Sequence, residues 1–372
     1  MMTSSIPERS SERGFTVVEL MIASVITMVV MGVAFSTFKD ALAINDAVVN
    51  LADASQNLRA GTNLLVRDLL QAGRGIDTGG IPVPSGSNAQ LIERPSPPGS
   101  SLTLQNDQEG TTLMAITTGA ALGPEIAGQT TDVISILMDD GVRSELQVYA
   151  PSSPTTLARL AADGSSFDAG STGWLAGNVA EGITPISRGD LIYFSGVSNG
   201  SALQTVTDVV GNVVYFAAND PFRLNQRAAN IPGSITQILP SPMPTCTVVA
   251  SCGAIMTVRR IYMYTYYVHA DTEGVPRLMR AVNHGTPQAL AGVLEDLTLS
   301  YDLVDGVTNP NNVKNLPYTV DGITFNSSQI RKVNVHVGVR SEVKSARTND
   351  YLRNHLSTVV SLRNLAFVDR YQ

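Results

Sequence analysis

The sequence predicts an α+β protein: a long N-terminal helix, membrane-embedded in its first half, packed on a large antiparallel β-rich head. Three observations carry this. Phe15 to Phe38 is an apolar run whose one charged side chain is Glu19. No proline falls between Phe15 and Gly80, and apolar residues recur at helical spacing after the run. Beyond Ser101 the chain changes to short β-branched segments separated by Gly, Pro, Asn and Ser.

The first element is the apolar run. At about 1.5 Å per residue a helix from Phe15 to Phe38 covers roughly 36 Å, enough to cross a hydrocarbon layer of about 30 Å with some tilt. It is longer than the apolar core of a cleaved secretory signal. The run therefore reads as a retained membrane helix. Arg9 and Arg13 precede it and Lys39 follows, a small bias toward a cytoplasmic N-terminus.

Glu19 is the unusual residue, because an ionisable group in an apolar span is costly and calls for a partner. If the chain were cut between Gly14 and Phe15, Glu19 would lie in the first turn of a new helix, where the helix dipole favours negative charge. It would then stand about 6 Å along the axis from a new terminal ammonium. A carboxylate so placed can neutralise the terminal amine of a neighbouring copy as helices stack in the membrane.

The polar leader ending in Gly14, then Phe15, "TVVEL" and an apolar block with Glu19 as fifth residue of the mature chain resembles the prepilin signature of the type IV pilin superfamily. The resemblance implies a type IV pilin-like fold, cleavage after Gly14 by a membrane prepilin peptidase, N-methylation of Phe15, and a role for Glu19 in subunit docking. It divides the chain into a leader (1–14), a transmembrane assembly half (15–38), an amphipathic half (39–75) and a β-rich head (76–372). Many major pilins carry a proline in the membrane half; this chain has Gly32 and Ser36 there instead.

The amphipathic half continues through Ile44, Val48, Leu51, Leu58, Leu65 and Leu69, a stripe expected to pack on a sheet. "RDLLQAGRGI" supplies Gly73 or Gly75 as a left-handed cap. "IPVPSGSNAQLIERPSPPGS" reads as an extended surface loop, and "PSSPTTLARLAADGSSFDAGSTGWLAG" as a second loop. Between and after them lie strand-like runs, including "DVISILM", "GDLIYFSG", "TVRRIYMYTYYVHA", "LEDLTLSYDLV" and "IRKVNVHVGVR". Gly211-Asn212 between two β-rich runs predicts a hairpin. In "KVNVHVGV" alternation sets Val333, Val335, Val337 and Val339 on one face and His336 on the other. "VRDLLQAG", "TDVISIL", "YTYYVHADTEGVPRLMRAV" and "LAGVLEDLTLSYDL", in this order, are similar to PilW-type minor pilins and the related J-type pseudopilins of type II secretion.

Composition bounds the rest. With 372 residues, 43% of them hydrophobic, the chain can bury a large core. A net charge of −7 argues against general nucleic-acid binding. The last 42 residues are nonetheless basic, with eight Lys/Arg against three Asp/Glu. A solvated strand face is the plain reading; a basic edge around Arg331 and Lys332 meeting an acidic partner is the sharper one. Cys246 and Cys252 are too few for a structural zinc site, and in an oxidising compartment they form a short-loop disulfide.

Catalytic and metal signals are weak, and the expectation is neither an enzyme nor a cofactor or metal protein. "GVSNG" fits G-x-S-x-G around Ser198, but β-branched residues follow it, so a hairpin turn explains it better. His269, His284, His336 and His355 show no local metal spacing. Asp139-Asp140 and Asp302/Asp305 read as turn-forming acids rather than calcium ligands. Tyr262, Tyr264 and Tyr266 fall on one strand face, a ladder expected to pack against the helix or a neighbour, with Tyr267 opposite.

The resemblance implies a minor pilin that primes pilus assembly and stays at or near the tip, serving adhesion, motility or DNA uptake. Its implied partners are other minor and major pilins, the prepilin peptidase, the inner-membrane assembly platform, and the lipid bilayer before assembly. The implied location is the bacterial inner membrane with a periplasmic head, then the surface pilus. A pseudopilin of type II secretion and a tip-borne adhesin or ligand-binding module are the alternatives.

Overall fold

In a computed structural model the helix, α1, runs unbroken from Val17 to Gln71. The structure describes residues 14–364 except 78, 105–109, 141–147, 150–155, 157, 172, 178–183, 197–199, 229, 240–244, 246–255 and 346–347. The helix passes straight through Gly32. Its buried residues begin only at Ala54 and recur at Leu58, Gly61, Thr62, Leu65, Asp68 and Leu69, three or four apart. The stripe expected from Ile44 therefore packs on the head only in its second part. Ile44, Val48 and Leu51 stay exposed, because the head first meets the helix near Ser55, whose Oγ accepts a 3.0 Å hydrogen bond from Asn354. Fully burying Leu65 or Leu69 contributes roughly 1.5–3 kcal/mol each.

The helix stops at Gln71, before the expected limit of 75. Ala72 caps it in an extended conformation, and Gly73 and Gly75 follow with φ of 77° and 71°. At Gly75 the left-handed backbone and the abutting Asp139 side chain leave no space for a Cβ.

The head is organised around the strand Met256–Ala270. Ile134–Asp139 pairs with it from Ile261 to Tyr266, and Pro276–Val282 pairs with its other edge from Tyr264 to Ala270. Leu191–Gly196 pairs with Met256–Ile261 and continues to Gly200–Thr205. A second sheet joins Leu294–Leu303, Ile330–Arg340 and Arg353–Ser361, all antiparallel. The helix packs on both sheets. Val333, Val335, Val337 and Val339 are buried in that shared core with Leu58, Leu65, Leu69 and Tyr266, and His336 is on the far face, as the alternation predicts.

Four anchors fix how the helix lies on the central strand. Gly61 sits where an added Cβ would come within 2.7 Å of Ala291 Cβ and 3.2 Å of Leu278. Tyr266 Oη donates to Asp68 Oδ2 at 2.6 Å. Gly73 N–H donates to Leu137 O at 2.9 Å, and Arg74 Nε to Asp139 Oδ1 at 2.9 Å. From Gly61 to its end at Gln71 the helix advances roughly 15 Å, and the cap carries the chain on to Arg74. The central strand covers roughly 23 Å between Val268, opposite Leu278, and Ile261, opposite Asp139. The two therefore run side by side in opposite directions. Met256–Arg260 extends past the carboxyl end of the helix.

Around that extension the structure corrects the second predicted loop. Ala158–Leu160 and Ser166–Asp168 are strands of a five-stranded sheet, and Trp174–Ala176 forms a 3₁₀ turn. The sheet also holds Val148–Tyr149, Asp208–Val210 and Val213–Tyr215, the last two joined through Gly211-Asn212 as predicted. Its core is separate from that of the helix. Phe167 meets Trp174 and Phe194 edge-on at 6.0 Å each, and Phe194 meets Phe216 at 5.7 Å. Phe194 and Val258 belong to the main sheet, so this distal unit is seated on the part of the sheet that overhangs the helix. The proline-rich segment is corrected too: Ile81, Val83 and Ile92 are buried against Tyr193, Leu203, Phe222 and Met263.

Candidate functional site

The site the sequence singles out is the start of α1. Gly14 and Phe15 precede the helix, and Thr16 is its N-cap in an extended conformation (φ −78°, ψ 151°). Among the described residues nothing lies within 4 Å of a Cβ built on Gly14. Residues 1–13 lie outside the described residues.

Thr16 and Glu19 form a capping box. The Thr16 hydroxyl accepts from Glu19 N–H at 3.2 Å and donates to Glu19 Oε2 at 3.0 Å. Glu19 Oε2 also accepts from Thr16 N–H at 2.9 Å. The carboxylate is thus held by its own chain at the positive end of the helix dipole. Sequence reasoning named Glu19 and missed Thr16, though T-x-x-E ahead of an apolar run is the pattern that announces a capping box.

The following turns present an apolar sleeve. From Val17 to Phe38 every residue is exposed. Three of its four hydroxyls are satisfied within the helix, Ser36 being the exception: Ser24 donates to Met21 O at 2.8 Å, Thr27 to Ala23 O at 2.7 Å, and Thr37 to Val33 O at 2.9 Å. That arrangement suits a medium without water.

Residues 9–35 match the model of the prokaryotic N-terminal methylation motif. The chain carries a prepilin-type N-terminus. This motif and the one helix among the described residues that is long and apolar enough to cross a membrane support a type IV pilin-like prepilin anchored in the inner membrane, with other pilins and the prepilin peptidase as its general partners. No curated protein and no solved structure matches the chain.

The remaining candidates are dispersed over the head. Tyr266 contacts the helix through Asp68, Tyr267 is buried on the opposite face, and Tyr262 and Tyr264 are half-buried beneath Arg260 and Arg280, at 5.1 and 4.0 Å. Asp139 pairs with Arg74 and Asp140 with Arg260 (3.0 Å). Asp302 departs from the turn expectation: it lies in the strand Leu294–Leu303 and accepts from Asn312 N–H and Asn334 Nδ2, whereas Asp305 accepts from the N–H groups of Val307 and Thr308, as a turn-forming acid does. His336 bonds Ser357 at 2.8 Å and stacks on His355, while His284 meets Phe222 edge-on at 4.2 Å. Part of the C-terminal positive charge is neutralised, since Arg340 and Arg353 both clamp Glu295, at 3.0 and 2.9 Å. Lys332 lies opposite Asp302 on the neighbouring strand, and Arg331 is exposed. Ser198, Cys246 and Cys252 fall outside the described residues. Gly196 and Gly200 on either side of Ser198 pair as the end of a hairpin.

Proposed function

We propose that the protein is a minor pilin of a type IV pilus, which primes assembly and sits at or near the filament tip. Gly14 and Phe15 serve cleavage and methylation, and Glu19 serves docking to a neighbouring helix. The observation that carries the tip reading is the overhang. In a filament of stacked helices each head must leave room for the subunit above it. Here five residues of central strand, Met256–Arg260, add roughly 16 Å beyond the register of the helix end, with a separately cored unit on top. Such bulk suits a subunit with nothing stacked above it. The assembly role is structural, with no catalytic step assigned to Ser198.

An epitope placed in the Gly211-Asn212 turn and labelled with gold on sheared filaments tests this. Label at filament ends is expected. Label along the whole shaft contradicts the tip position. Loss of a secreted substrate on deletion, with pili intact, would favour the type II pseudopilin instead.

A further inference from the structure

The main sheet has a gap on one edge of the central strand. Ile261 pairs with Asp139 on one side and Leu191 on the other, so Leu191–Gly196 shares its edge with Pro276–Val282. The two strands leave off at Leu191, opposite Ile261, and at Val282, opposite Tyr264. Asn283 closes the sheet between them. Its N–H donates to Met263 O at 2.7 Å and its Oδ1 accepts from Met263 N–H at 2.9 Å. In front of this gap is a cleft of about 370 Å³, within the range of small-molecule sites. The segments that lead to and from the distal unit, at Asp190, Val206 and Pro221, form its walls.

Two polar groups on the lining are held in place and only half used. Asn283 is 4% exposed and Asp190 9%. Asp190 Oδ2 accepts from Ser187 N–H at 3.0 Å and from Arg260 Nη1 at 3.4 Å. Asp190 Oδ1 and Asn283 Nδ2 have no hydrogen-bond partner among the described residues, and neither is sealed from solvent. Such groups are costly to leave unmade unless water or a ligand reaches them. Arg260 is shared between Asp190, at 3.4 Å, and Asp140, at 3.0 Å, and the nearby Asp220 accepts from Thr205 Oγ1 and the N–H groups of Leu224 and Asn225. The lining therefore offers one acceptor and one donor, beside the apolar Val206 and Pro221.

A sugar hydroxyl donates to a carboxylate and accepts from an amide at the same time, and its ring carries apolar C–H faces. We infer that this cleft binds a neutral saccharide, held by Asp190 and Asn283. The site is independent of the assembly role, and its test uses isolated protein, so either idea can fail alone.

Saturation-transfer NMR on the full chain, in a detergent without a sugar headgroup, is run with glucose, galactose and N-acetylglucosamine in turn. Transfer to at least one is expected. Asp190→Asn and Asn283→Asp, which keeps the acceptor for Met263 N–H, should each weaken binding at least tenfold with thermal unfolding near wild type. Should either variant fail to fold, Arg188→Trp at the exposed rim of the cleft narrows its mouth and should give the same loss. An immobilised glycan ending in the bound sugar separates the two sources: retention of the protein there assigns a glycan terminus, and binding of the free sugar alone assigns a soluble ligand. No transfer to any of the three sugars, or transfer unchanged in folded variants, overturns the inference.

Discussion

The Tyr266 hydroxyl donates to the Asp68 carboxylate at 2.6 Å across 198 residues of sequence, and Arg280 binds the same oxygen at 2.8 Å. Arg280 in turn lies 4.0 Å over the Tyr264 ring. This buried group ties the helix to the head where apolar packing alone would let it slide. Tyr266→Phe should destabilise the head by about 1–3 kcal/mol, the cost of one buried carboxylate interaction left unmade. Asp68→Ala should cost more, about 3–5 kcal/mol, because it strands Arg280. Urea unfolding of both variants measures the difference, and equal stability would show that the guanidinium finds water.

Glu19 is predicted to leave its intrachain partner on docking. Glu19→Ala should leave cleavage after Gly14 intact and reduce incorporation into filaments. Thr16→Val removes the hydroxyl that bonds the carboxylate and should destabilise the helix start by about 0.5–2 kcal/mol. Immunoblots of cleaved and uncleaved protein beside sheared filaments read both effects. Normal incorporation of Glu19→Ala would end the charge-pairing account.

Alkaline pH should loosen the head. Burial pushes Tyr267 up to about 12, and burial together with the Asp68 charge pushes Tyr266 up as well. In the unfolded chain both titrate near 10. The folded state thus holds protons that the unfolded state has lost, so this stability is complete below pH about 10 and declines as pH rises toward about 12. Phenolate absorbance should show two tyrosines ionising only with unfolding, and Tyr267→Phe should flatten the decline.

The Cys246–Cys252 disulfide is a prediction from sequence. Exported, unreduced protein should not react with a thiol probe, and reduction should cost about 2–3 kcal/mol for so short a loop. Reaction of both thiols before reduction would exclude the bond.

How much was legible follows from the physics of each signal. The helix was plain because nothing interrupts it for 55 residues, and the Val333–Val339 face because one side of that strand is buried and the other is not. The Gly211-Asn212 hairpin was readable from its turn residues alone. The distal unit was missed because Ala158–Leu160 and Ser166–Asp168 are three residues long, too short for alternation to register among Ser, Gly and Ala. Ile81 and Ile92 looked like loop residues because their burial comes from distant partners such as Phe222. Asp190 and Asn283 meet at a gap between strands, which only the pairing register reveals. Thr16 was readable and overlooked.

The central claim is that this chain is a processed, methylated filament subunit. Mass spectrometry of filaments sheared from intact cells tests it through the tryptic peptide Phe15–Lys39. The account predicts that peptide with an N-methyl group on Phe15. Recovery of Gly14–Lys39 from the membrane fraction, with no methylated form in the filaments, would contradict it.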